Sequence, residues 1–531
     1  MADMIQTAPM TVRTAIFDLL RGFGMTTIFG NPGSTELPMF RDFPADFRYV
    51  LGLQEACVVG MADGFALATR NAAFVNLHSA AGVGHGLGNV FTAFRNRTPM
   101  VVTAGQQARS ILPYEPYLFA QQATEFPKPY VKWSCEPARA QDVPAAIARA
   151  YYVAMTPPCG PCFVSIPVDD WDQPCEPVAP RTVSSIIRGD PAMLTQVAAA
   201  LDGAQHPVLV VGSAVARDAA WEETIALAER YEALVWETPN SPRNSFPQDH
   251  RLFAGFLPAA REGIVAALAG HDVIVALGAP LFTYHVEGFG VHAPPGAAVF
   301  QLIDDPDVAA WIPVGTSVIT SLRSGLQDLL AAARPNPRHG PRAIPAGRSP
   351  TAPVPEDGAL SDALLMQVLA RVRPADSIIV EEAPSSRPPM QARLPITRPD
   401  GFFTCGSGGL GYGMPAAVGI AMARPAQRVI AIIGDGSSLY AIQSLWTAAE
   451  LRLPMVFIIV RNGRYEAMVK YFRRFGMQTL VGIDLPHLDF CALARGMGVD
   501  AERVDAAGDL DNALRRALTS DGPVLVEVVV A

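Results

Sequence analysis

The sequence predicts an α/β protein of three doubly wound parallel-sheet domains. Three observations carry that prediction. Short apolar runs alternate with helix-length segments along nearly the whole chain, the pattern of repeated βαβ units. The best of these runs are apolar throughout, as strands buried on both faces require. The chain's 531 residues, 50% hydrophobic and 17% charged, exceed one domain of ordinary size and hold enough apolar material for several cores.

Taken in order, residues 1–180 form the first expected domain. Its strands are Thr27 to Phe29, Val50 to Leu53, Ala73 to Leu77 and Met100 to Ala104, with a helix from Glu55 to Thr69. Cys159-Gly160-Pro161-Cys162 spells a thioredoxin-type CxxC, whose chemistry needs the first thiol at a helix N-terminus. Here Phe163 to Pro167 reads as a strand, so the motif is a turn entering that strand. Residues 190–333 repeat the pattern as a simpler middle domain, with Pro207 to Gly212 and Val273 to Gly278 as buried strands. Residues 334–358 carry seven prolines, too many ring constraints for a helix or a central strand, and read as a linker. Residues 359–531 form the third domain, which ends on the strand Val524 to Val530.

Composition narrows the function classes. The net charge of −9 is spread along the chain without a basic block, which disfavours a nucleic-acid surface. No apolar run reaches the ~18 residues of a membrane span, and the N-terminus lacks a charged region followed by an apolar one. Seven scattered cysteines argue against a disulfide framework. The expectation is a cytoplasmic protein that handles a small molecule, with no nucleic-acid or membrane partner.

Gly434-Asp435-Gly436-Ser437 closes the run Val429 to Ile433, and Asn462-Gly463, 27 residues on from Asp435, closes the run Met455 to Val460. Two parallel strands would end side by side with a carboxylate and a carboxamide at their tips. Those are oxygen ligands suited to Mg²⁺ when the ion also binds a phosphate, at the sheet edge where α/β proteins bind ligands. A Gly-Asp-Gly turn alone is a common strand-to-helix junction. Glu55 adds a second clue. It follows a buried strand and opens a helix, which can set an isolated carboxyl in an apolar crevice; taken alone it is equally a first-turn glutamate favoured by the helix dipole.

Gly30-Asn31-Pro32-Gly33-Ser34, Leu53-Gln54-Glu55-Ala56-Cys57, Asn76-Leu77-His78-Ser79-Ala80-Ala81-Gly82 and Gly408-Gly409-Leu410-Gly411, together with the Asp435 to Asn462 motif, run in order over essentially the whole chain. This set resembles the thiamine diphosphate-dependent 2-oxo acid decarboxylase family, in particular its benzoylformate decarboxylase type. The resemblance implies pyrimidine-binding, middle and diphosphate-binding domains. It also implies thiamine diphosphate and Mg²⁺ as cofactors, and a homo-oligomer. The oligomer would be built from dimers whose subunits share their active sites, further assembled as a tetramer.

Residue roles follow from the same resemblance. Glu55 would act on the cofactor's pyrimidine. Asp435, Asn462 and the backbone carbonyl of Arg464 would hold Mg²⁺. Leu410 would lie beneath the thiazolium and Gly408 would contact the pyrimidine, while Ser385, Gly436, Ser437, Tyr440 and Tyr465 would complete the cofactor site. Ser34 would engage the substrate carboxylate, and His78 and His285 would relay protons. His85, His250 and His487 have no comparable support and read as structural. The implied reaction is non-oxidative decarboxylation of an aromatic or bulky 2-oxo acid to an aldehyde and CO₂, with carboligation as a side activity.

Several positions depart from the family pattern. Arg461 replaces the first Asn of a common Asn-Asn pair, Arg464 stands where a small hydroxyl residue is usual, and Pro384 replaces a hydroxyl residue. Glu466 occupies a usual Gly position and Thr404 a usual aromatic one, which implies a more polar substrate pocket. Tyr117, Leu118, Ala467, Met468 and Tyr471 still leave room for a bulky acyl group. Two other readings stand beside this one. An acetolactate-synthase-like carboligase would more often carry a flavin, and the middle domain shows no dinucleotide fingerprint. A non-catalytic cofactor-binding homologue would have lost Glu55 or the metal ligands.

Overall fold

The computed structural model describes residues 10–336, 340–341, 343 and 358–530. Most of the proline-rich linker expected at 334–358 lies outside the described residues. The chain forms three six-stranded sheets in which every strand pairing is parallel, so the predicted fold class holds.

The first sheet contains β1 (Thr27–Gly30), β2 (Arg48–Leu51), β3 (Ala73–Leu77), β4 (Met100–Gln106), β5 (Ser134–Cys135) and β6 (Pro161–Pro167). The second contains β7 (Pro207–Val211), β8 (Leu234–Glu237), β9 (Phe253–Phe256), β10 (Val273–Leu277), β11 (Ala298–Ile303) and β12 (Thr316–Ile319). The third contains β13 (Ile378–Glu382), β14 (Phe402–Thr404), β15 (Val429–Gly434), β16 (Met455–Arg461), β17 (Asp500–Val504) and β18 (Val524–Val529). The first sheet runs β2-β1-β3-β4-β6-β5 and the third β14-β13-β15-β16-β18-β17, the same order twice. The second runs β12-β11-β10-β7-β8-β9.

Burial on both faces explains the unbroken apolar runs. Along β15, Val429, Ala431 and Ile433 enter one core while Ile430 and Ile432 enter another, the two-residue alternation of a strand with both faces covered. The core on the Val429 side is shared with the first sheet, because the helices Glu55–Thr69 and Gly413–Ala423 pack there together. The expected Val50 to Leu53 strand sits two residues earlier, at Arg48–Leu51. Gly52 follows it, and a Cβ there would lie 2.7 Å from Val58 Cγ2, so glycine lets the turn toward Gln54, which caps the next helix, pack against that helix. Cys162 starts inside β6 with no helix after it, and burial pushes its thiol up to about 12, as the strand reading of the CxxC expects. No helix among the described residues is long and apolar enough to cross a membrane.

Candidate active site

Parallel strands put every C-terminal tip of a sheet on one edge, and the predicted residues gather on those edges. In the first sheet Asn31, Glu55 and His78 follow the tips of β1, β2 and β3, which are adjacent. Glu55 is the first residue of its helix and only 8% exposed. The Gln54 side chain accepts the amides of Ala56 and Cys57 at 2.6 and 3.3 Å, which fixes the helix start. The Asn31 amide donates to Glu55 Oε1 at 3.4 Å, and His85 Nδ1 lies 3.2 Å from Oε2. His85, read from sequence as structural, therefore touches the proposed activating carboxylate. Its position seven residues after His78, on the helix Ser79–Asn96, was the available signal.

His78 stands where β3 gives way to that helix, its Nδ1 2.8 Å from Glu36 Oε2. A Cβ on Gly33 would fall 2.2 Å from the His78 ring, so glycine there lets the loop carrying Ser34 lie against the imidazole. Ser34 itself is exposed. Leu118 accepts the Ser79 hydroxyl at 2.7 Å through its backbone carbonyl, and the neighbouring Tyr117 is 88% exposed. Sequence reading also passed over Glu36, which follows the Gly30 to Ser34 motif by two residues.

The third sheet holds the other half. β15 and β16 run in register to Gly434 opposite Val460, so Asp435 and Asn462 leave adjacent strand tips. Asp435 Oδ1 accepts the Gly436 amide at 2.8 Å, and Oδ2 accepts those of Asn462 and Gly463 at 3.1 and 2.7 Å. A carboxylate offers about four acceptor positions, so one remains on Oδ1. Asn462 Oδ1 accepts the Arg464 amide at 3.1 Å, and the Arg464 carbonyl accepts that of Glu466 at 2.9 Å; each keeps a lone pair. All three predicted ligands are thus oriented oxygens with capacity left, which fits a hard cation such as Mg²⁺. Burial raises the Asp435 pKa against the pull of its three amide donors, and a cation bound there would oppose that rise.

Around this donor set, a Cβ on Gly436 would fall 2.4 Å from the Tyr465 ring, so glycine is needed for the close approach of that ring. Tyr440 is exposed and Ser437 buried. Gly408 adopts φ +76° with open space at its Cβ position. Leu410 precedes Gly411, whose amide donates to Glu382 Oε1 at 2.6 Å; the Gly413 amide bonds Oε2. Ser385 follows the tip of β13 and is half-buried.

The middle domain adds His285, in the loop after β10. Its ring meets the hydroxyl of Tyr471, 2.9 Å from Nδ1, on the helix Glu466–Arg474. Glu466 pairs with Arg464 at 2.7 Å, so the two unusual residues after Asn462 neutralise each other. Ala467 is half-buried and Met468 exposed on the same helix. Thr404 is buried, donating to the Glu381 carbonyl at 2.8 Å and accepting from Arg387 at 2.9 Å, and it faces a cavity between the middle and third domains that Asn240 and Met390 also line. Among the described residues, the hydrogen bonds of the Glu55 carboxylate come from the first domain, and those of Asp435 from the third.

The chain matches the thiamine pyrophosphate enzyme N-terminal TPP binding domain over residues 10–125, the central domain over 194–329 and the C-terminal TPP binding domain over 387–528. A benzoylformate decarboxylase of Pseudomonas aeruginosa is 45% identical, with 98% of each chain covered. The solved benzoylformate decarboxylase of Polynucleobacter necessarius is 37% identical with a TM-score of 0.94, covering 98% of each chain. A thiamine diphosphate-dependent 4-hydroxybenzoylformate decarboxylase of Rhodococcus jostii RHA1 is 38% identical with a TM-score of 0.94, covering 98% of this chain and 99% of that one.

Proposed function

The chain belongs to the thiamine diphosphate-dependent decarboxylases of the benzoylformate type, and from that premise we propose that it converts an aromatic or bulky 2-oxo acid to the aldehyde and CO₂ with Mg²⁺ holding the cofactor's diphosphate. When bound, thiamine diphosphate supplies the electron sink that takes the electron pair left as CO₂ departs. The chain's own residues do the rest. Asp435, Asn462 and the Arg464 carbonyl would hold the metal, and Ser385, Gly436, Ser437, Tyr440 and Tyr465 would surround the diphosphate and thiazolium end. Glu55 would hold a proton at the pyrimidine, with Gly408 and Leu410 setting the cofactor's shape. Ser34 would fix the substrate carboxylate, while His78 and His285 give and take protons, help typically worth about 10² to 10⁴ in rate.

The observation that carries this reading is the pairing of a carboxylate buried at a strand tip, Glu55, with three oriented oxygen donors whose lone pairs are not used up. Exposed apolar side chains near both halves, Leu37, Leu53 and Tyr117 in the first domain and Tyr440, Met468 and Phe475 in the third, support a second copy covering them. We read the active unit as a dimer, further paired to a tetramer, with each site shared between subunits. All seven cysteines are free, in keeping with a cytoplasmic setting.

The test is an assay with Mg²⁺ and thiamine diphosphate against benzoylformate, 4-hydroxybenzoylformate, pyruvate and branched 2-oxo acids. Aryl substrates should be turned over best, and Glu55→Gln should lose at least about 10²-fold in kcat. Full turnover by Glu55→Gln would overturn the role of the carboxylate, and loss of CO₂ from none of the acids would overturn the reaction. Adding excess aldehyde should yield some 2-hydroxy ketone, the carboligation product.

A further inference from the structure

We propose that Glu36 is a positioning residue for His78, holding the imidazole as the tautomer with its proton on Nδ1 and leaving Nε2 for proton transfer. The proposal rests on the reading of His78 as a proton relay and extends it to the buried carboxylate behind that ring. Glu36 is 1% exposed. Its Oε2 accepts the Gly33 amide at 2.9 Å; its Oε1 accepts the Gly105 amide at 2.9 Å and the Thr35 hydroxyl at 2.6 Å. Three donors thus converge on a carboxylate with about four acceptor positions, an arrangement suited to the form that only accepts. The fourth position meets His78 Nδ1 at 2.8 Å, and Nδ1 is the donor there in the tautomer proposed.

Thr35 fits the same assignment. Its hydrogen goes to Glu36, so its oxygen, 3.2 Å from Nδ1, can only share the Nδ1 proton as a second acceptor. Nε2 has no partner among the described residues and is the one nitrogen free to gain or lose a proton. A carboxylate bonded to one ring nitrogen fixes which nitrogen carries the proton and raises the basicity of the other. Glu36 also ties three strand tips together, since Gly33 follows β1, His78 follows β3 and Gly105 lies in β4. Beside the pair stand Tyr49, whose phenol feels Glu36, and Glu55, whose Oε1 lies 3.5 Å from the position of a Gly82 Cβ that is equally close to His78 Cβ.

Two measurements on the holoenzyme test this. A neutron structure of the wild-type enzyme should place deuterium on His78 Nδ1; deuterium on Nε2 alone would overturn the proposal without any variant. In Glu36→Gln, loss of the negative charge should lower the His78 pKa, so the histidine limb of the pH profile of kcat should move to lower pH. kcat should also fall about 10- to 100-fold, a part of what a placed acid-base group supplies, with KM changed far less. In a His78→Ala background Glu36→Gln should cost almost nothing further. An unmoved limb, or an equal loss with and without His78, would make Glu36 merely structural. If His78→Ala alone kept full turnover, the relay reading would fail, while the deuterium position would still judge the tautomer.

Discussion

At the scale of single residues, buried charge decides what can be predicted. Asp63 is fully buried in the helix Glu55–Thr69 and accepts hydrogen bonds from Thr98 at 2.8 Å and Asn96 at 3.2 Å. Burial outweighs those bonds and pushes its pKa from 3.8 up to about 7. The folded chain therefore keeps a proton that the unfolded chain has released. The stabilisation is fully present below the unfolded value and is lost as pH rises through the folded one, by at most about 1.4 kcal/mol per pH unit for one group. Asp63→Asn should flatten that fall, so melting curves of wild type and variant between pH 4.5 and 8 should converge or cross; parallel curves would show that Asp63 does not titrate there. Arg461 shows what the sequence does not reveal. It precedes Asn462, the proposed metal ligand, and its side chain turns away to pair at 2.6 Å with Glu527, which is 0% exposed and also held by Arg503 at 2.7 Å. No local pattern reveals a partner 66 positions away. Arg461→Asn should destabilise by about 1–3 kcal/mol, the usual penalty for stripping a partner from a buried polar group. Calorimetry should register that loss while the Mg²⁺ dependence of activity stays unchanged.

At the scale of elements, the strands read from sequence, such as β15 and β16, were legible because they are apolar on both faces and end at a glycine or a polar tip; β17, whose Asp500, Glu502 and Arg503 leave only Val504 buried, carries no such signal. The helix Glu55–Thr69 was legible because Gln54 and Glu55 mark its start. What could not be read is how closely that helix approaches Gly413–Ala423. A Cβ on Gly64 would lie 2.1 Å from the Ala416 carbonyl oxygen, and one on Gly419 would lie 1.9 Å from that of Met61. Two backbones meet there with nothing between them, and only glycine on both helices permits it. Because the obstacle is backbone, no rotamer can relieve it. Gly419→Ala should therefore cost about 1–3 kcal/mol through overpacking. It should also weaken cofactor binding, since Glu55 heads one of the two helices and Leu410 shortly precedes the other. A titration of thiamine diphosphate followed by circular dichroism, beside a melting curve, reads both effects; an unchanged melting temperature would mean the helices part without penalty. The middle sheet has the strand order 3-2-1-4-5-6 found in dinucleotide-binding folds. Where β7 and β10 end, a Cβ on Gly212 would meet Ala279 Cβ at 2.0 Å, so glycine lets the two following loops pack directly on each other.

At the scale of the whole molecule, the first and third sheets share one strand order, and on the proposed reading each offers half of a cofactor site at its carboxyl edge. The first would present a carboxylate for the pyrimidine, the third an oxygen cradle for a metal-bound diphosphate. A site shared between two copies makes a prediction that a site within one chain cannot. Glu55→Gln and Asp435→Ala should each be inactive as pure oligomers. If subunits are unfolded together and reassembled, the mixed dimer joins the intact first domain of the Asp435→Ala chain to the intact third domain of the Glu55→Gln chain. One of its two sites is then wild type and the other carries both lesions. Random pairing makes half of the dimers mixed, so activity should recover to about one quarter of wild type for a two-fold assembly. Sites contained within single chains would recover nothing, since every chain keeps its own lesion. Covering the exposed Leu37, Tyr117, Met468 and Phe475 is what should hold the mixed dimers together. Activity that appears on mixing should therefore rise with protein concentration during reassembly, as association between chains requires.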